Sequence, residues 1–463
     1  MIWLYNILMA VLLVFGLPVV LPYLALSAKR RPILLRRLGI VRPRPIPHRG
    51  AESKKPIWIH ALSVGEVLAS VPLITALRLD DDDRSIVFSA STRTGHDIAR
   101  EKLGALVDAV FFFPFDLPFA VKRVAACIRP AMVIMIETDI WPNFLFDMKR
   151  RGVPVTLANA KLSRRSFSGY RRIAPFFREV FSCFTALCCQ SVADADRFRR
   201  LGLPEDLLSV TGNIKFDQTE MPLPVSEVAD LRNLLGIGRR QWVWIAGSTH
   251  EGEETVIQQA FRRIKKENPH LMLVVAPRNP ERAGSVSRIF SAAGFDTVAL
   301  SALGGRASQK QADVIVIDTL GLLKNLYALA DVALVGGSLI RIRGIGGHNP
   351  LEPAAFAKPI LFGPHMHNFR EIAAMLTAAG GAIQVINAHT LGVTVNDLLA
   401  DRDRAQHMGQ NARRVFDTNK GAVARTMAVI TDQLASRNQP PKGDATDLPN
   451  ETRGSSPIDF YLF

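Results

Sequence analysis

Cysteine is scarce in this chain of 463 residues. There are four cysteines, Cys127, Cys183, Cys188 and Cys189, and no two of them form a C-x-x-C pair. A disulfide framework needs a much higher density of cysteine, so that class of small secreted protein is excluded. The sequence instead predicts buried free thiols in a reducing compartment.

Acidic residues are also in short supply. The chain has 42 Asp and Glu against 57 Lys and Arg, which gives a formal net charge of +15. Such an excess predicts an anionic partner: nucleic acid, an anionic membrane or an acidic substrate. The sequence lacks both zinc-finger spacing and a basic platform interleaved with aromatics, so we do not expect nucleic acid. The length fits two or three domains.

The N-terminus lacks charge altogether. Residues 2–27 contain no charged side chain and are apolar almost throughout. About 20 such residues suffice to cross the hydrocarbon layer. A cleaved signal peptide is the alternative, but no basic segment precedes the apolar stretch and the stretch is long for a signal. We therefore predict a transmembrane anchor at 2–27.

A basic run follows the anchor without any acid between Lys29 and Arg49. By the positive-inside rule, this run keeps the following chain on the cytoplasmic side. It is also expected to attract anionic lipid. Its members are Lys29, Arg30, Arg31, Arg36, Arg37, Arg42, Arg44 and Arg49.

The rest of the chain alternates short apolar runs with amphipathic stretches, a pattern typical of parallel strands covered by helices on both faces. The runs of the first half are Ile57–Leu62, Ser85–Ser91, Ala109–Pro114, Met132–Glu137, Val153–Ala158 and Ala186–Ser191. Those of the second half are Trp242–Gly247, Leu271–Ala276, Thr297–Leu300, Val314–Asp318, Val332–Gly336 and Ile360–Gly363. We predict an α/β fold with two Rossmann-like doubly wound domains facing a cleft, at 28–218 and 241–435. A linker at 219–240 joins them, and a disordered tail at 436–463 follows.

Ligands of such sheets bind beyond the carboxyl ends of the strands, so motifs at these ends are candidates for function. Ser63 can cap the helix after the first strand, and Glu66 in its first turn is either a general base or a helix-dipole residue. Glu137 ends a central strand. Burying a carboxylate there costs free energy unless the carboxylate is paired with a positive charge or faces a cleft. Lys215 is either a surface lysine or a cation that offsets charge on a leaving phosphate.

Six basic residues follow the fifth strand. They either form a clamp for anionic groups or simply a solvated helix face. The six are Lys161, Arg164, Arg165, Arg171, Arg172 and Arg178.

In the second half, the turn at 246–254 suits a phosphate or carboxylate, or forms a plain N-cap. Glu352 follows a Gly-Gly-His-Asn-Pro segment and can accept the hydroxyls of a ribose. His348, His365 and His367 have no carboxylate or cysteine at ligand spacing, so we interpret them as hydrogen-bonded structural histidines, not metal ligands.

Six motifs occur together in a specific order and spacing. They are S-V-G-E at 63–66, E-T-x-x-W-P at 137–142, N-A-K-L-S at 159–163, G-N-I-K-F-D at 212–217, P-R-N-P-E-R at 277–282 and G-G-H-N-P-L-E at 346–352. The set resembles the bacterial 3-deoxy-D-manno-octulosonic acid (Kdo) transferases of lipopolysaccharide synthesis. The likeness covers the chain from the anchor to about Ala435.

The resemblance implies a glycosyltransferase-B fold, with the acceptor on the first domain and the nucleotide on the second. It also implies inverting transfer of Kdo from CMP-Kdo to a phosphorylated lipid A precursor (lipid IVA), without metal or cofactor, at the cytoplasmic side of the inner membrane. By resemblance, Glu66 activates the acceptor hydroxyl, while Glu137 and Lys215 stabilise the transition state. The positions that match CMP-binding segments are Pro277, Arg278, Gly321, Leu322, Leu323, Asn349, Pro350, Leu351 and Glu352.

Three departures from the family pattern stand out. Asp139 occupies a position where the family usually has Glu. The segment Gly321–Leu323 reads Gly-Leu-Leu where the family usually has Gly-Glu-Leu, so Leu322 replaces a Glu. The loop at 339–345, with Arg341 and Arg343, is a few residues longer than usual. Two alternatives remain: another nucleotide-sugar transferase or epimerase on the same fold, and a membrane-tethered scaffold that binds acidic lipid without catalysis.

Overall fold

The structure, a computed structural model, describes residues 2–25, 31–43, 54–218, 224–238, 241–305 and 312–438. Within these residues the chain forms two sheets and the helices that cover them. The strands are β1 (Ile57–Ala61), β2 (Ile86–Ala90), β3 (Ala109–Phe112), β4 (Met132–Ile136), β5 (Val155–Ala160), β6 (Ala186–Cys189), β7 (Leu208–Val210), β8 (Val243–Thr249), β9 (Met272–Pro277), β10 (Thr297–Ala299), β11 (Val314–Val316), β12 (Val332–Val335), β13 (Ile360–Phe362) and β14 (Ala382–Gln384).

The first half contains helices α1 (Ile2–Ala25), α2 (Arg31–Arg37), α3 (Val64–Asp80), α4 (Arg93–Leu103), α5 (Pro118–Ile128), α6 (Pro142–Arg150), α7 (Arg164–Arg172), α8 (Ala174–Phe181) and α9 (Val192–Arg200). The second half contains α10 (Val225–Leu234), α11 (Glu253–Glu267), α12 (Ala283–Ala292), α13 (Leu323–Leu326), α14 (Leu351–Ala355), α15 (Arg370–Ala378), α16 (Ala388–Ala400), α17 (Arg402–Asn419) and α18 (Ala422–Asn438).

The strands form two seven-stranded sheets, ordered β3-β2-β1-β4-β5-β6-β7 and β10-β11-β9-β8-β12-β13-β14. Every neighbouring pair is parallel; β1, for example, pairs with both β2 and β4. The predicted α/β architecture is therefore confirmed, with all twelve predicted strands in place. The sequence missed β7 and β14, which have three residues each at a sheet edge and are too short to show a pattern.

Each sheet is buried on both faces, which explains the continuous apolar runs of its strands. Along β1, Trp58 packs into one core of the first domain while Ile57 and Ile59 pack into the other. In the second sheet, Trp244 and Ile245 divide between two cores in the same way. This alternation follows from the two-residue period of a strand.

The last helix, α18, returns to the first domain. Its Ala422 and Ile430 join the core that contains Ile59, and α18 contacts α3. The carboxylate of Asp217 accepts hydrogen bonds from Gly421 N (2.8 Å) and Val423 N (2.6 Å). The domain limits given by the sequence stay a prediction, and residues 439–463 of the predicted tail lie outside the described residues.

The first helix, α1, contacts the first domain through polar side chains. Tyr5 donates a hydrogen bond to Asp116 (2.9 Å), and Asn143 Nδ2 donates to Asn6 Oδ1 (2.7 Å). Tyr5 also stacks on Phe176, with ring centroids 6.1 Å apart. A search of the described part of the chain finds no helix with both the length and the apolar character that crossing a membrane requires. The transmembrane anchor predicted at 2–27 is therefore not confirmed.

The basic run after α1 is only partly described, since Lys29, Arg30, Arg44 and Arg49 lie outside the described residues. Arg37 is not a free surface charge, because its Nε donates to Phe113 O (3.1 Å) and its guanidinium stacks over Phe115. The cysteines are free thiols, as predicted, and three of them are buried. The prediction of burial is wrong for Cys127, which is exposed on the outer side of the last turn of α5.

Candidate functional site

The site of the first domain lies where the strand order reverses. In a doubly wound sheet this reversal leaves a crevice at the carboxyl ends of two adjacent strands. Here the two strands are β1, which leads to Glu66, and β4, which leads to Glu137. Both predicted carboxylates therefore lie at the crevice of the first sheet.

Glu66 lies in the first turn of α3 and is held by the segment before it. Its Oε2 accepts a hydrogen bond from Leu62 N (2.6 Å), and its Oε1 accepts one from the Ser63 hydroxyl (3.0 Å). The prediction that Ser63 caps α3 is wrong in detail. Ser63 occupies the N-cap position, but its hydroxyl donates to the carboxylate instead of accepting a backbone amide.

The environment of Glu66 favours a proton near neutral pH. The pKa of Glu66 is raised from 4.5 to about 7, first by burial and then by the negative charge of Glu137. The hydrogen bonds from Leu62 and Ser63 act in the opposite direction. A carboxylate with a pKa close to the working pH can accept a proton from a substrate and release it again.

Glu137 forms an ion pair with Lys215, which lies at the end of the first domain. Lys215 Nζ lies 2.8 Å from Glu137 Oε1, and the two side chains are 17% and 23% exposed. Glu137 has φ = 59°, a left-handed conformation that costs a non-glycine residue about 1 kcal/mol. Strain of this kind is concentrated at functional sites.

Lys215 is positioned by two asparagines. Asn213 Oδ1 accepts a hydrogen bond from Lys215 N (3.0 Å), and Asn159 Oδ1 accepts one from Ile214 N (3.1 Å). Asn159 also has a left-handed backbone, with φ = 58°. The N-A-K-L-S and G-N-I-K-F-D motifs thus meet in space and fix the short 3-10 helix, Ile214–Gln218, that carries the lysine.

A buried polar pair beside these carboxylates escaped the sequence analysis. His60, on β1, has its Nε2 3.1 Å from Asp139 Oδ2, and the Trp141 indole donates to the same oxygen (2.9 Å). The other ring nitrogen of His60 lies 3.0 Å from the Ser89 carbonyl. Asp139, the residue that departs from the family pattern, therefore ties the segment after β4 to β1 and β2.

The two domains meet at this edge. Lys161 Nζ lies 3.1 Å from Glu371 Oε1, and Lys215 Nζ lies 6.0 Å from the centre of the Phe369 ring. Glu371 and Phe369 belong to the second domain, at the start of α15 and just before it. The Glu137–Lys215 pair therefore faces the second domain.

The six basic residues after β5 do not form one cluster. Lys161 is engaged with Glu371, and the guanidinium of Arg178 donates to Leu201 O (2.7 Å). The remaining four are exposed on α7, and we call them the α7 arginines: Arg164, Arg165, Arg171 and Arg172. They leave positive charge on the outside of the first domain.

On the second domain, Glu352 lies in the first turn of α14. The pKa of Glu352 is raised from 4.5 to about 7, because the effect of burial exceeds the opposing effects of a hydrogen bond from Asn349 and the charges of Lys324 and Arg278. Arg278 is exposed at the end of β9, and its backbone N–H donates to Thr249 O (2.9 Å). Asn349, Glu352 and Arg278, all predicted from the sequence, therefore lie together.

The other predicted nucleotide-binding positions surround this group. Pro277 is the last residue of β9, while Pro350 is the N-cap of α14 and Leu351 its first residue. Gly321 has φ = 88°, a conformation that favours glycine, and turns the chain before α13. Leu322 and Leu323 follow it and pack against the core that contains Tyr327.

A histidine pair also lies here. His250 Nε2 and His348 Nε2 are 2.8 Å apart, and the two rings are nearly parallel. The pKa of His348 is lowered to about 3, first by burial and then by the neighbouring His250 and Arg278. The interpretation of His348 as a hydrogen-bonded histidine fits this contact, but the sequence did not identify His250 as its partner.

The turn after β8 is occupied by the protein's own carboxylate. Glu253 is fully buried and accepts hydrogen bonds from four backbone amides at 2.8–2.9 Å. These amides belong to His250, Gly337, Ser338 and Leu339. Only the His250 amide belongs to the 246–254 turn, so Glu253 ties this turn to the segment after β12.

Comparison with known proteins identifies the family. Residues 34–218 match the family described as 3-Deoxy-D-manno-octulosonic-acid transferase (kdotransferase). The chain is 35% identical over 381 residues to a 3-deoxy-D-manno-octulosonic acid transferase of Haemophilus influenzae, covering 82% of this chain and 87% of that protein. The chain belongs to the Kdo transferase family. It is a Kdo-transferring glycosyltransferase.

Two further comparisons extend this result. A Kdo transferase of Bordetella pertussis is 31% identical over 386 residues, which cover 82% of this chain and 87% of that protein. Among solved structures, a UDP-GlcNAc 2-epimerase from Neisseria meningitidis superposes with a TM-score of 0.53 at 13% identity, covering 82% of this chain and 100% of that one. At that identity the likeness concerns the fold alone, and it supports two Rossmann-like domains.

Proposed function

We propose that this Kdo transferase moves Kdo from CMP-Kdo to a phosphorylated lipid A precursor, lipid IVA, in lipopolysaccharide core biosynthesis. The transfer inverts the anomeric centre and needs neither metal nor cofactor. The observation that carries the proposal is the placement of Glu66, a carboxylate with a pKa near 7, beside the Glu137–Lys215 ion pair. This arrangement combines a proton acceptor with a cation at the crevice of the first sheet.

The reaction follows from these roles. Glu66 removes the proton from the acceptor hydroxyl, and the oxygen attacks the anomeric carbon of Kdo from the face opposite the phosphate. The bond from that carbon to the phosphate oxygen breaks, and the electron pair leaves with CMP. Lys215 offsets the negative charge that develops in the transition state, while Glu137 holds the ammonium group in place (2.8 Å).

The nucleotide occupies the second domain. Glu352 accepts the ribose hydroxyls, and the exposed guanidinium of Arg278 contacts the phosphate. Pro277, the Gly321–Leu323 turn and the Asn349–Leu351 segment complete the site with backbone and apolar contacts. Nucleotide preference tests this part, since the thermal midpoint should rise more with CMP than with UDP or GDP.

The lipid acceptor approaches the first domain from a membrane surface. We propose that α1 attaches the enzyme to the inner membrane, with the catalytic domains on the cytoplasmic side and anionic lipid beside the basic run. Many large apolar side chains of α1 are exposed, among them Trp3 (61%), Val14 (65%) and Phe15 (76%). The α7 arginines supply the charge to receive the phosphates of the precursor.

The α1 proposal has its own test. Membrane fractions from cells that express the full chain should retain the protein in high salt, because apolar contacts are not screened. A chain that begins at residue 28 should be recovered in the supernatant. Recovery of both proteins in the supernatant would contradict the attachment.

The decisive test of the function is the product. Purified protein is incubated with CMP-Kdo and lipid IVA, and mass spectrometry of the lipid should show the added mass of Kdo. Glu66→Gln should lose at least 100-fold in rate, the size expected for a general base. Glu101→Gln, at an exposed carboxylate of the same domain, should keep the wild-type rate. An unchanged lipid with the wild-type protein would contradict the proposal.

A further inference from the structure

The longer loop at 339–345, which we call the arginine loop, bounds a cavity of about 600 Å³. Its polar walls are Arg341 and Arg343 from the loop and His365 and His367 from the segment after β13. The remaining lining residues are apolar, and none is acidic. Such a lining carries positive charge without a countercharge.

The two guanidinium groups are available. Both arginines are exposed, and neither forms an ion pair or a side-chain hydrogen bond with another residue in the described parts of the chain. Arg282, by contrast, makes a bidentate contact with Glu254 at 2.8 and 3.2 Å. An arginine without a partner in a cavity is suited to bind a carboxylate or phosphate, which its planar fork contacts with two hydrogen bonds.

The cavity shares a wall with the nucleotide site. Gly337 separates them: a Cβ atom on this glycine would lie 2.8 Å from the His348 ring and 2.9 Å from Ile345 of the arginine loop. Hydrogen bonds tie the same segments together, from Gly347 N to Gly337 O (2.8 Å) and from His365 N to Ser338 O (3.0 Å). A group bound in the cavity is therefore next to the nucleotide.

The cavity also borders the side of the site that faces the first domain. His367 begins the short 3-10 helix His367–Phe369, whose Phe369 ring lies 6.0 Å from Lys215 Nζ. A substrate that extends from the nucleotide towards Lys215 passes this wall. Its anionic group would come within reach of the arginine loop.

We propose that the arginine loop cavity binds an anionic group of a substrate, through Arg341 and Arg343. The inference rests on the proposed function, in which two anions are present: the carboxylate of the Kdo that is transferred and the phosphates of the lipid acceptor. The shared wall with the nucleotide site favours the donor carboxylate. The loop thus contributes to substrate recognition at a position where this chain departs from the family pattern.

The test compares CMP, CMP-Kdo and the lipid precursor. Titration calorimetry measures the Kd of CMP and of CMP-Kdo for the wild type and the Arg341→Gln/Arg343→Gln variant, and steady-state assays measure KM for the lipid. If the carboxylate is bound, the Kd of CMP-Kdo rises about tenfold or more while that of CMP is unchanged. If a phosphate is bound, KM for the lipid rises instead.

Two matched variants complete the design. Arg341→Lys/Arg343→Lys keeps the charge and should recover part of the lost affinity. Arg288→Gln removes an exposed arginine of α12 and should behave like wild type. The inference is overturned if the double glutamine variant matches wild type in all three constants while wild type transfers Kdo. A wild-type protein that neither binds CMP-Kdo nor transfers Kdo would instead contradict the proposed function.

Discussion

Lys215 Nζ lies 2.8 Å from Glu137 Oε1. This ion pair links the residue that follows the central strand β4 to the segment at the end of the first domain. The chain separates these residues by many elements, yet both stand at the crevice of the first sheet. Two structural facts support a role in chemistry: the left-handed backbone of Glu137 and the fixed position of Lys215. The pair lies beside Glu66, the proposed proton acceptor, whose pKa the charge of Glu137 helps to raise.

Lys215→Ala should lower kcat by about 100- to 1000-fold, because one preorganised charge contact to the transition state is lost. KM for the donor should change little, since the contact strengthens only as charge develops. Lys215→Arg should retain part of the rate. Steady-state kinetics check this, with Lys149→Ala, at an exposed lysine of the same domain, as the control. A kcat equal to that of the control would refute the role of Lys215.

CMP affinity should depend on the ionisation of Glu352. Since the pKa of Glu352 is raised to about 7, the carboxylate is ionised above that pH and protonated below it. Only the ionised form accepts both ribose hydroxyls, so the Kd of CMP should rise about tenfold between pH 8 and pH 6. Calorimetry at several pH values measures this. Glu352→Gln should bind CMP weakly with a flat profile, and a wild-type Kd independent of pH would argue against the contact.

Asp139→Ala should destabilise the first domain. His60 is fully buried, and its Nε2 and the Trp141 indole both lose the carboxylate oxygen that they share. The expected loss in the free energy of unfolding is about 1–3 kcal/mol. Denaturant unfolding measures it, with the exposed Asp97→Ala as the control. Equal stability of the two variants would show that the His60–Asp139 contact contributes nothing.

Glu66→Gln should stabilise the protein at alkaline pH. A pKa near 7 in the folded state, against 4.5 ordinarily, means that the folded state binds this proton more tightly than the unfolded one. Stability is therefore lost as the pH rises from about 4.5 to 7, and the variant escapes this loss. At pH 8 it should be more stable by on the order of 1–3 kcal/mol, with no gain at pH 4. Thermal unfolding at both pH values tests the sign of this stability change, with Glu101→Gln as the control.

The sequence predicted the two α/β domains because continuous apolar runs identify buried parallel strands directly. It also placed Glu66, Glu137 and Lys215 at strand ends, and the structure brings them to one edge. The order of the strands explains this result. Because β1 and β4 are adjacent in the sheet, residues far apart in the chain become neighbours.

Contacts between side chains could not be predicted in the same way. His60 and Asp139 are 79 residues apart, and His250 and His348 are 98 residues apart. No local pattern links such pairs, because they depend on strand register and on the direction of each side chain. Glu253 illustrates the same limit: three of the four amides that bind its carboxylate lie in the segment after β12, more than 80 residues along the chain.

The central claim is that Glu66 is the base, and its pH dependence tests this most directly. Single-turnover rates are measured from pH 5 to pH 9 with saturating donor and acceptor, so that binding does not limit them. The account predicts a rate that rises about tenfold per pH unit up to the pKa of Glu66, about 7, and is level above it. Glu66→Gln should lack this rise and be at least 100-fold slower at pH 8. A full wild-type rate at pH 5, or the same profile in the variant, would contradict the account.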